Sequence, residues 1–436
     1  MGGTWTTQNK VRPGVYINFE QTRMQSEQLH RGIVTMPLDL DFGKEHEVIE
    51  VSHNTDTFGI FGEELHNIVP IREALKRAEK VLVYRLNPVS TGAKATVTHN
   101  NLTATAKYTG IKGNELKVVV ESNQDKFNVK TFVGNKLVDA QKSVTNVEQL
   151  HNNSFVDFSG TGKLSATASA SLSGGANGSV IEDNYKSYRE AIEVYYFNTC
   201  ALYSVSDNTI KNAFKDWVKR LRDNEGNKVT LVAENYSNAD YEGIISVKNG
   251  VMLDDGTVLP AKKATAWVAG ATAAANTNES LTYDFYDGAI DVDYKYNHAS
   301  IEDYINDGEF LFTSYDGKAR VEYDINSLHS FTKDKGRMFR KNRVMRTLDG
   351  INNQITKIGN DYFIGKISNN EDGRNLLKNE IIKCLQKYDN NGSITNLDTQ
   401  KDVQVLASDD TDVVIVRIAA QPVDGMEKLY MTVEVK

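Results

Sequence analysis

The stretch KVLVYRL (residues 80–86) is apolar at successive positions, so an extended chain would carry water-avoiding side chains on both faces. That pattern is typical of a strand buried in the middle of a sheet. The preceding segment HNIVPIREALKRAEK (66–80) contains a helix, because Ile71 and Leu75 recur at helical spacing. A buried strand after a helix predicts an α/β arrangement. Residues 23–89 are therefore predicted to form the first part of an α/β core.

The composition changes after this segment. Residues 90–178 are rich in Thr, Ser, Asn, Val and Gly and show almost no helical periodicity. Short strand-like runs, such as ELKVVVES (115–122) and FNVKTFV (127–133), alternate with turn residues. The flanks NPVSTGA (87–93) and SLSGGANGS (171–179) have the composition of connecting loops. The stretch is predicted to be a small β-sandwich domain inserted into the core.

The α/β pattern returns over residues 179–334, the predicted second part of the core. NTIKNAFKDWVKRLRDN (208–224) predicts a helix that Asp207 caps at its start. AKKATAWVAGATAAAN (261–276) predicts a helix of small residues, which would let a neighbouring backbone approach closely. A hairpin is expected around Asp316–Gly317, since this dipeptide favours a two-residue turn.

A third unit is predicted for residues 335–424. Apolar residues at spacings of three and four predict one amphipathic helix over 344–358 and a second over 373–388. TDVVIVRIAAQPV (411–423) then predicts a strand that is apolar on both faces. The chain as a whole is therefore predicted to be a multidomain α+β or α/β protein: an α/β core, an inserted β-sandwich and a C-terminal α/β unit.

Each end of the chain carries one alternating segment, predicted as an N-terminal arm (1–22) and a C-terminal arm (425–436). RPGVYINFE (12–20) and MEKLYMTVEVK (426–436) both alternate apolar and polar residues, as half-buried strands do. An isolated strand is not stable in water. The closing strand could form a hairpin with the apolar strand before it, whereas the opening strand has no adjacent partner. Addition of a strand to another molecule's sheet would satisfy both arms.

Charge and cysteine content exclude several classes of protein. The net charge of −8 argues against a general nucleic-acid binder, which would present a basic surface. Cys200 and Cys384 lie far apart and are predicted to be free thiols in a reducing compartment. Neither a signal peptide nor an apolar run of roughly 20 residues is visible, so no membrane insertion and a cytoplasmic location are expected.

No catalytic or cofactor motif is complete in the sequence. The eight histidines show no zinc spacing. SGTGKLS (159–165) fails as a phosphate-binding loop, because that pattern needs Gly at position 157 and Ser or Thr at 164, where Asp157 and Leu164 stand. The sequence therefore predicts no enzyme activity, no cofactor and no metal.

One strongly basic stretch remains, KDKGRMFRKNRVMR (333–346), with seven basic residues and one acidic residue. One interpretation is the solvated start of the amphipathic helix that follows, since runs of charge are commonly solvated. The other interpretation is a contact with an acidic protein surface. In the second C-terminal helix, Lys383 and Lys387 lie opposite the apolar arc.

Four segments resemble one known family when taken together. They are RPGVYINFE (12–20), GIKGNELKV (110–118), DYFIGKISNNEDGRNLLKNEIIKCL (361–385) and QPVDGMEKLYMTVEVK (421–436). As a set they look like the contractile tail sheath proteins of bacteriophages. The resemblance covers essentially the whole chain and is closest to the short sheaths of phages and phage-derived elements of Gram-positive bacteria.

The resemblance implies a structural protein of a virion tail or phage-tail-like particle, assembled in the bacterial cytoplasm. Sheath subunits stack as hexameric rings around a tail tube, and their arms add strands to sheets of neighbouring subunits. On a baseplate signal the sheath shortens and widens, which drives the tube through the target envelope. The implied partners are other copies of the chain, the tail tube protein, and baseplate and tail terminator proteins, with no direct nucleic-acid contact.

Carried onto this sequence, the resemblance gives candidate residues for each contact. The N-terminal inter-subunit strand would use Val15, Tyr16, Ile17 and Phe19. The C-terminal inter-subunit strand would use Leu429, Tyr430, Met431, Thr432 and Val433. The receiving strand would include Val413, Val414, Ile415, Val416 and Ile418. A polar, easily broken tube contact is expected from Lys383 and Lys387, or from the basic stretch through Arg340, Lys341 and Arg343.

Three alternatives stay open at this stage. A headless, phage-derived bacteriocin would have a sheath subunit of the same kind. A cell-surface lattice or adhesion protein could use the β-sandwich to bind glycan, although no signal peptide supports secretion. An enzyme is the third alternative, without a nominated nucleophile or acid–base pair.

Overall fold

A computed structural model describes residues 31–435 of the chain. The first part of the core contains three strands and two helices: β1 (Ile33–Leu38), β2 (Val48–Val51), α1 (Thr57–Phe61), α2 (Val69–Leu75) and β3 (Lys80–Arg85). Every residue of β1 is buried. The predicted strand KVLVYRL is β3, and it pairs in parallel with β1 along its whole length.

The next seven strands form the insert: β4 (Thr96–His99), β5 (Leu102–Ala106), β6 (Leu116–Asn123), β7 (Lys126–Val133), β8 (Lys136–Val144), β9 (Val156–Gly160) and β10 (Thr167–Ser171). They make two antiparallel sheets, in the orders β10-β6-β7-β8 and β4-β5-β9. Apolar side chains from both sheets, including Val118, Val129 and Ala104, share one core. This is the β-sandwich that the sequence predicted.

The chain then returns to the core through α3 (Glu182–Ile192), β11 (Thr199–Ala201), α4 (Asn208–Lys219), β12 (Thr230–Glu234), β13 (Ile244–Val247), β14 (Val251–Leu253), β15 (Val258–Leu259), α5 (Ala261–Ala274), β16 (Ala289–Val292), α6 (His298–Asn306), β17 (Glu309–Phe310), β18 (Phe312–Tyr315) and β19 (Lys318–Val321). Asp207 caps α4 by accepting a hydrogen bond from the Thr209 amide. Asp316 and Gly317 both have positive φ in the turn between β18 and β19, which confirms the predicted hairpin.

One seven-stranded sheet organises the core, in the order β17-β13-β12-β11-β1-β3-β2. All its pairings are parallel except that of β2 with β3. Helices α2 and α5 cover one face and share a core that includes Trp267. Helices α3 and α4 cover the other face with Tyr188, Phe214 and Trp217. Strand order reverses between β1 and β11, and the insert lies in the chain between β3 and β11.

The insert is attached to the core at the edge of this sheet where the strands have their carboxyl ends. Arg85, at the end of β3, is 1% exposed. Its guanidinium donates to the carbonyls of Leu40 (3.0 Å) and Gly43 (2.6 Å) in the loop after β1, and to Thr109 (2.8 Å) in the insert. In doubly wound sheets, ligands usually bind in the crevice at this edge where strand order reverses. In this chain, the loops at that edge bind the inserted domain.

The C-terminal unit contains α7 (Asn342–Ile358), α8 (Glu371–Asn390), β20 (Ile394–Thr395), β21 (Val403–Ala407), β22 (Val414–Ile418) and β23 (Gln421–Pro422). Both predicted amphipathic helices are present, and Ile351, Ile381 and Leu385 share their core. Short 3₁₀ segments elsewhere are Leu65–Asn67, Ile111–Glu115, Val147–Gln149, Ser237–Ala239 and Arg337–Arg340, and π segments extend two helices at Arg220–Asn224 and Gly359–Phe363. The predicted fold class is confirmed.

The closing segment pairs with no strand of the described chain. Residues 426–435 form no strand there, so a strand completed by another copy stays a prediction. The alternative hairpin between that segment and the preceding strand is wrong for the single chain, because β22 pairs with β21 instead. The opening arm, with Val15, Tyr16, Ile17 and Phe19, lies outside the residues that the structure describes.

The small-residue helix α5 does permit the close approach that its composition indicated. A Cβ atom at Gly270 would lie 2.3 Å from the carbonyl oxygen of Ala74 on α2. We predict that Gly270→Ala lowers the free energy of unfolding by about 1–3 kcal/mol, since overpacking forces backbone shifts. Chemical denaturation measures this change. Gly359→Ala is the matched control, because a Cβ atom added there would have no neighbour within 4 Å and the φ angle of Gly359 is negative; equal destabilisation by both variants would contradict the prediction.

Candidate assembly surface

The hairpin of β21 and β22 is a two-stranded ribbon at the surface of the C-terminal unit. The pairing is antiparallel, with Val403 opposite Ile418 and Val405 opposite Val416. Strand β21 packs on α8, and its first residue, Val403, is fully buried. In the part of the chain that the structure describes, β22 pairs with β21 alone, so its other edge is open. An open edge presents backbone N–H and C=O groups to any strand that approaches.

The open strand is also apolar. Ile415 and Val416 are 41% and 38% exposed, and Val413, just before β22 begins, is 39% exposed. Of the predicted receiving residues, Val414, Ile415, Val416 and Ile418 therefore lie in the open strand, whereas Val413 precedes it. A strand with apolar residues on both faces and one unpaired edge has the properties of a strand-addition site.

The closing segment, residues 428–435, makes no hydrogen bond to any other residue that the structure describes. Its apolar side chains are among the most exposed in the described chain, from 71% at Leu429 to 94% at Val435. Tyr430, Met431 and Val433 are likewise exposed, and Thr432 lies between them on the same segment. The subunit therefore presents an apolar strand sequence without the sheet that such a sequence needs.

The basic stretch is not a uniform basic surface: Lys333 and Arg337 are exposed, whereas other members are buried and pair with acidic residues of the same chain. Arg346, 5% exposed, donates to Asp324 at 2.7 Å, and that carboxylate also accepts from Asn342. Lys335 pairs with Glu242. Because these pairs join residues far apart in the sequence, the charge run itself could not indicate them.

Three of the predicted tube contacts, Arg340, Lys341 and Arg343, are partly or fully buried in this subunit. Arg340 is 5% exposed, and burial lowers the pKa of its guanidinium. Lys341 is mostly buried against Glu427 and Asp424, and Arg343 is half-buried beneath Gly425. In this conformation Arg340 presents almost no surface to a separate protein, and Lys341 and Arg343 present only part of theirs.

The two lysines of α8 differ from that group. Lys383 is exposed and bonds to Glu380, one turn earlier, at 2.7 Å. Lys387 is half-buried. The opposite side of the helix carries buried Ile381, Cys384 and Leu385. Both cysteines are buried free thiols. Burial raises the pKa of the Cys384 thiol to about 11 and that of Cys200 to about 12, so both are protonated and unreactive at neutral pH.

A buried junction holds the C-terminal unit on the core. Arg222 donates two parallel hydrogen bonds to Asp349 on α7, at 2.8 and 2.9 Å. Burial by itself lowers the pKa of Arg222, but the adjacent carboxylate raises it overall. Asn353, one turn further along α7, bonds to both the N–H and the C=O of Lys228. The assembly surface therefore has a fixed position relative to the seven-stranded sheet.

Within residues 31–435, no group of three or more His, Cys, Asp or Glu side chains is arranged to hold a metal ion. No helix in this range combines the length and apolar character that crossing a bilayer requires.

Family profiles match nearly the whole chain. The domain III N-terminal region of tail sheath protein Gp18 matches residues 31–86, and the phage tail sheath β-sandwich domain matches 90–177. The central domain of phage tail sheath proteins matches 178–327, and their C-terminal domain matches 334–436. The four matches follow one another in the order of the units described above.

Solved structures and a curated relative agree with these matches. A sheath tail protein from Desulfitobacterium hafniense is 47% identical, with a TM-score of 0.87 over 97% of this chain and 100% of that one. The sheath tail protein Lin1278 from Listeria innocua is 37% identical, with a TM-score of 0.77 over 93% and 95%. Protein XkdK of the phage-like element PBSX from Bacillus subtilis is 36% identical over 100% of this chain and 99% of its own length.

The chain belongs to the phage tail sheath protein family. The helical sheath of the anti-feeding prophage, solved in its contracted state, shares the fold at 12% identity, with a TM-score of 0.59 over 97% of this chain.

The buried junction generates a prediction about stability. We expect Asp349→Ala to lower the free energy of unfolding by about 3–5 kcal/mol, because it leaves the buried Arg222 guanidinium without its carboxylate. Asp361→Ala is the control, since its pair with Lys357 leaves both side chains more than 40% exposed. Exposed pairs contribute about 0–1 kcal/mol. Denaturation of the two variants side by side checks the difference, and comparable losses would contradict it.

Proposed function

We propose that this chain is the structural subunit of a contractile tail sheath. Subunits polymerise as stacked hexameric rings around a tail tube, and the sheath shortens to drive the tube through a cell envelope. The observation that carries the proposal is the exposed apolar segment 428–435, in a subunit that also has an open apolar strand, β22. In a monomer these features leave apolar side chains and backbone hydrogen-bonding groups exposed to water. In a lattice they could pair with other copies of the chain.

Strand addition accounts for both features at once. Leu429, Met431 and Val433 alternate with polar or aromatic residues, so pairing with the sheet of another copy would bury one face of the segment. Four or five backbone hydrogen bonds, each worth about 1 kcal/mol net, would give a link of several kcal/mol before ordering costs. In a closed ring each further link is effectively intramolecular, which makes the assembly much stronger than a single link.

We propose the same role for the N-terminal arm through Val15, Tyr16, Ile17 and Phe19. Strand β22, Val414–Ile418, would receive at least one of the arms from a neighbouring subunit. A catalytic site is not required, because free energy stored during assembly would drive shortening.

The movement would be a rigid-body rearrangement. The paired hydrogen bonds of Arg222 with Asp349 and of Asn353 with Lys228 support a subunit that moves as one piece. Rotation and sliding of such bodies, joined by extended arms, is an established route to large structural change. The shared fold with a sheath solved in its contracted state is compatible with this mechanism.

The remaining partners would be the tail tube protein inside the sheath and the baseplate and tail terminator proteins at its ends. Lys383 is our candidate for the tube contact, because its ammonium group is exposed on α8. The particle would be a virion tail or a phage-tail-like particle.

The proposal predicts that the closing segment acts through one face. Replacing Leu429, Met431 and Val433 by Ser should abolish polymerisation, because the buried face of the added strand is lost. Replacing Lys428, Thr432 and Glu434 by Ser is the matched control and should be tolerated. Electron microscopy and sedimentation at rising protein concentration measure assembly. Tubes or rings from the apolar-face variant would reject the role of the segment.

The tube contact has a separate test. Lys383→Glu should reduce assembly on purified tubes while leaving tube-free polymerisation intact, because it reverses charge at the proposed contact. Lys186→Glu on α3 is the matched control, since that lysine is exposed and also pairs with a glutamate on its own helix. Co-sedimentation with tubes measures the difference. Normal assembly of the Lys383 variant on tubes would reject the assignment.

A further inference from the structure

Glu427 is unlike the residues on either side of it. Its side chain is 9% exposed, whereas Met426 is 95% exposed and Leu429 is 71% exposed. From Lys428 onward, no hydrogen bond joins the segment to another described residue. Glu427 is therefore the last point at which the described chain is attached to its own subunit.

The carboxylate of Glu427 is held in a site built from three other side chains. It accepts hydrogen bonds from the hydroxyls of Ser280 (3.1 Å) and Thr282 (2.9 Å) and from the ammonium group of Lys341. The two hydroxyls are themselves 3.1 Å apart. Charge-assisted hydrogen bonds of this kind are about twice as strong as neutral ones.

Two of the groups that bind Glu427 also make contacts of their own. Thr282 also accepts from the Asp324 amide at 3.0 Å, which ties its loop to the segment after β19. The Lys341 ammonium lies 4.3 Å from the centre of the Tyr323 ring and is 13% exposed. Glu427 thus joins the loop after α5 to the start of α7, across the boundary between the core and the C-terminal unit.

The attachments just before Glu427 are weaker. Strand β23 pairs with β20 over two residues, and the Val423 amide donates to Ser393 at 2.9 Å. Asp424 approaches Lys341 at 3.5 Å, and its own side chain is 43% exposed. If Glu427 were released, Val423 would be the next backbone attachment.

We propose that Glu427, bound by Lys341, Ser280 and Thr282, is the positioning residue that sets where the C-terminal arm leaves its subunit and how far it reaches. This inference rests on the proposed strand exchange between subunits. With the anchor in place, the eight residues 428–435 reach about 26–29 Å when extended. Without it, twelve residues from 424 to 435 would reach about 40 Å and sample many more directions.

A longer tether lowers the local concentration of the arm at its target. Effective concentration falls with roughly the −3/2 power of tether length, so lengthening the arm from eight residues to twelve lowers it by about 1.8-fold per link. Each added subunit contributes one such link on average, because the link that one copy donates is the link that its neighbour receives. The critical concentration for assembly should therefore rise by about 1.8-fold when the anchor is lost.

The test compares Glu427→Ala with Glu434→Ala, a control on the same segment at an exposed position. The critical concentration is measured by light scattering, with electron microscopy of the products. We expect a rise of about 1.8-fold for the first variant and none for the second. Hydrogen exchange at residues 423–427 of the monomer should become faster only in the first. The thermal midpoint of the monomer should fall in Glu427→Ala, because the mostly buried Lys341 loses its main acidic partner, and stay the same in Glu434→Ala.

A covalent replacement of the anchor separates positioning from general stability. In the double variant Thr282→Cys and Glu427→Cys, a short bifunctional maleimide should restore the wild-type critical concentration, because it fixes the arm without the ion pair. The native thiols of Cys200 and Cys384 are buried and should not react. Failure of the cross-linked protein to assemble, or an unchanged critical concentration in Glu427→Ala, would overturn the inference. Failure of the wild-type chain to polymerise would instead reject the proposed function.

Discussion

The structure depends on a simple constraint: the backbone of an apolar strand must find hydrogen-bond partners. The seven-stranded sheet meets this constraint within the subunit, with β1 buried between β3 and β11. The C-terminal hairpin meets it on one edge only, and residues 428–435 do not meet it within the described chain. Exposed apolar area combined with unpaired backbone is unfavourable in a monomer, so the subunit carries a built-in driving force for association.

A fold that often binds ligands at one edge of its sheet uses that edge here to hold another domain. The edge of the sheet where strand order reverses holds Arg85, whose guanidinium bonds to three backbone carbonyls. Asn177, near the end of the insert, donates to Asp41 in the loop after β1 at 2.7 Å. Polar groups that could bind a small molecule in a related sheet are used to hold the β-sandwich.

Elements whose formation depends on neighbouring residues in the sequence were predicted correctly. The small-residue helix α5, the amphipathic helix α7 and the turn at Asp316–Gly317 all follow from spacing or from turn chemistry. Several strands were missed, among them β1, because IVTMPL is a short apolar run without alternation, and β21, because DVQVLA lies between turn residues. The burial and pairing of Arg340 and Lys341 could not be predicted, since both depend on residues that only the fold brings close.

Rigidity and reach are divided between different parts of the chain. Buried, bidentate contacts such as that of Arg222 with Asp349 fix the C-terminal unit on the core. Beyond Glu427 the chain makes no such contact with the described residues, so under the proposed strand exchange this segment would absorb changes of spacing between subunits. A sheath that lengthens and shortens needs both properties, because compliant bodies would dissipate the stored free energy and rigid arms would break. The last internal contact is at Glu427, immediately before the apolar strand sequence begins. Rigidity therefore belongs to the chain before Glu427, and reach belongs to the segment after it.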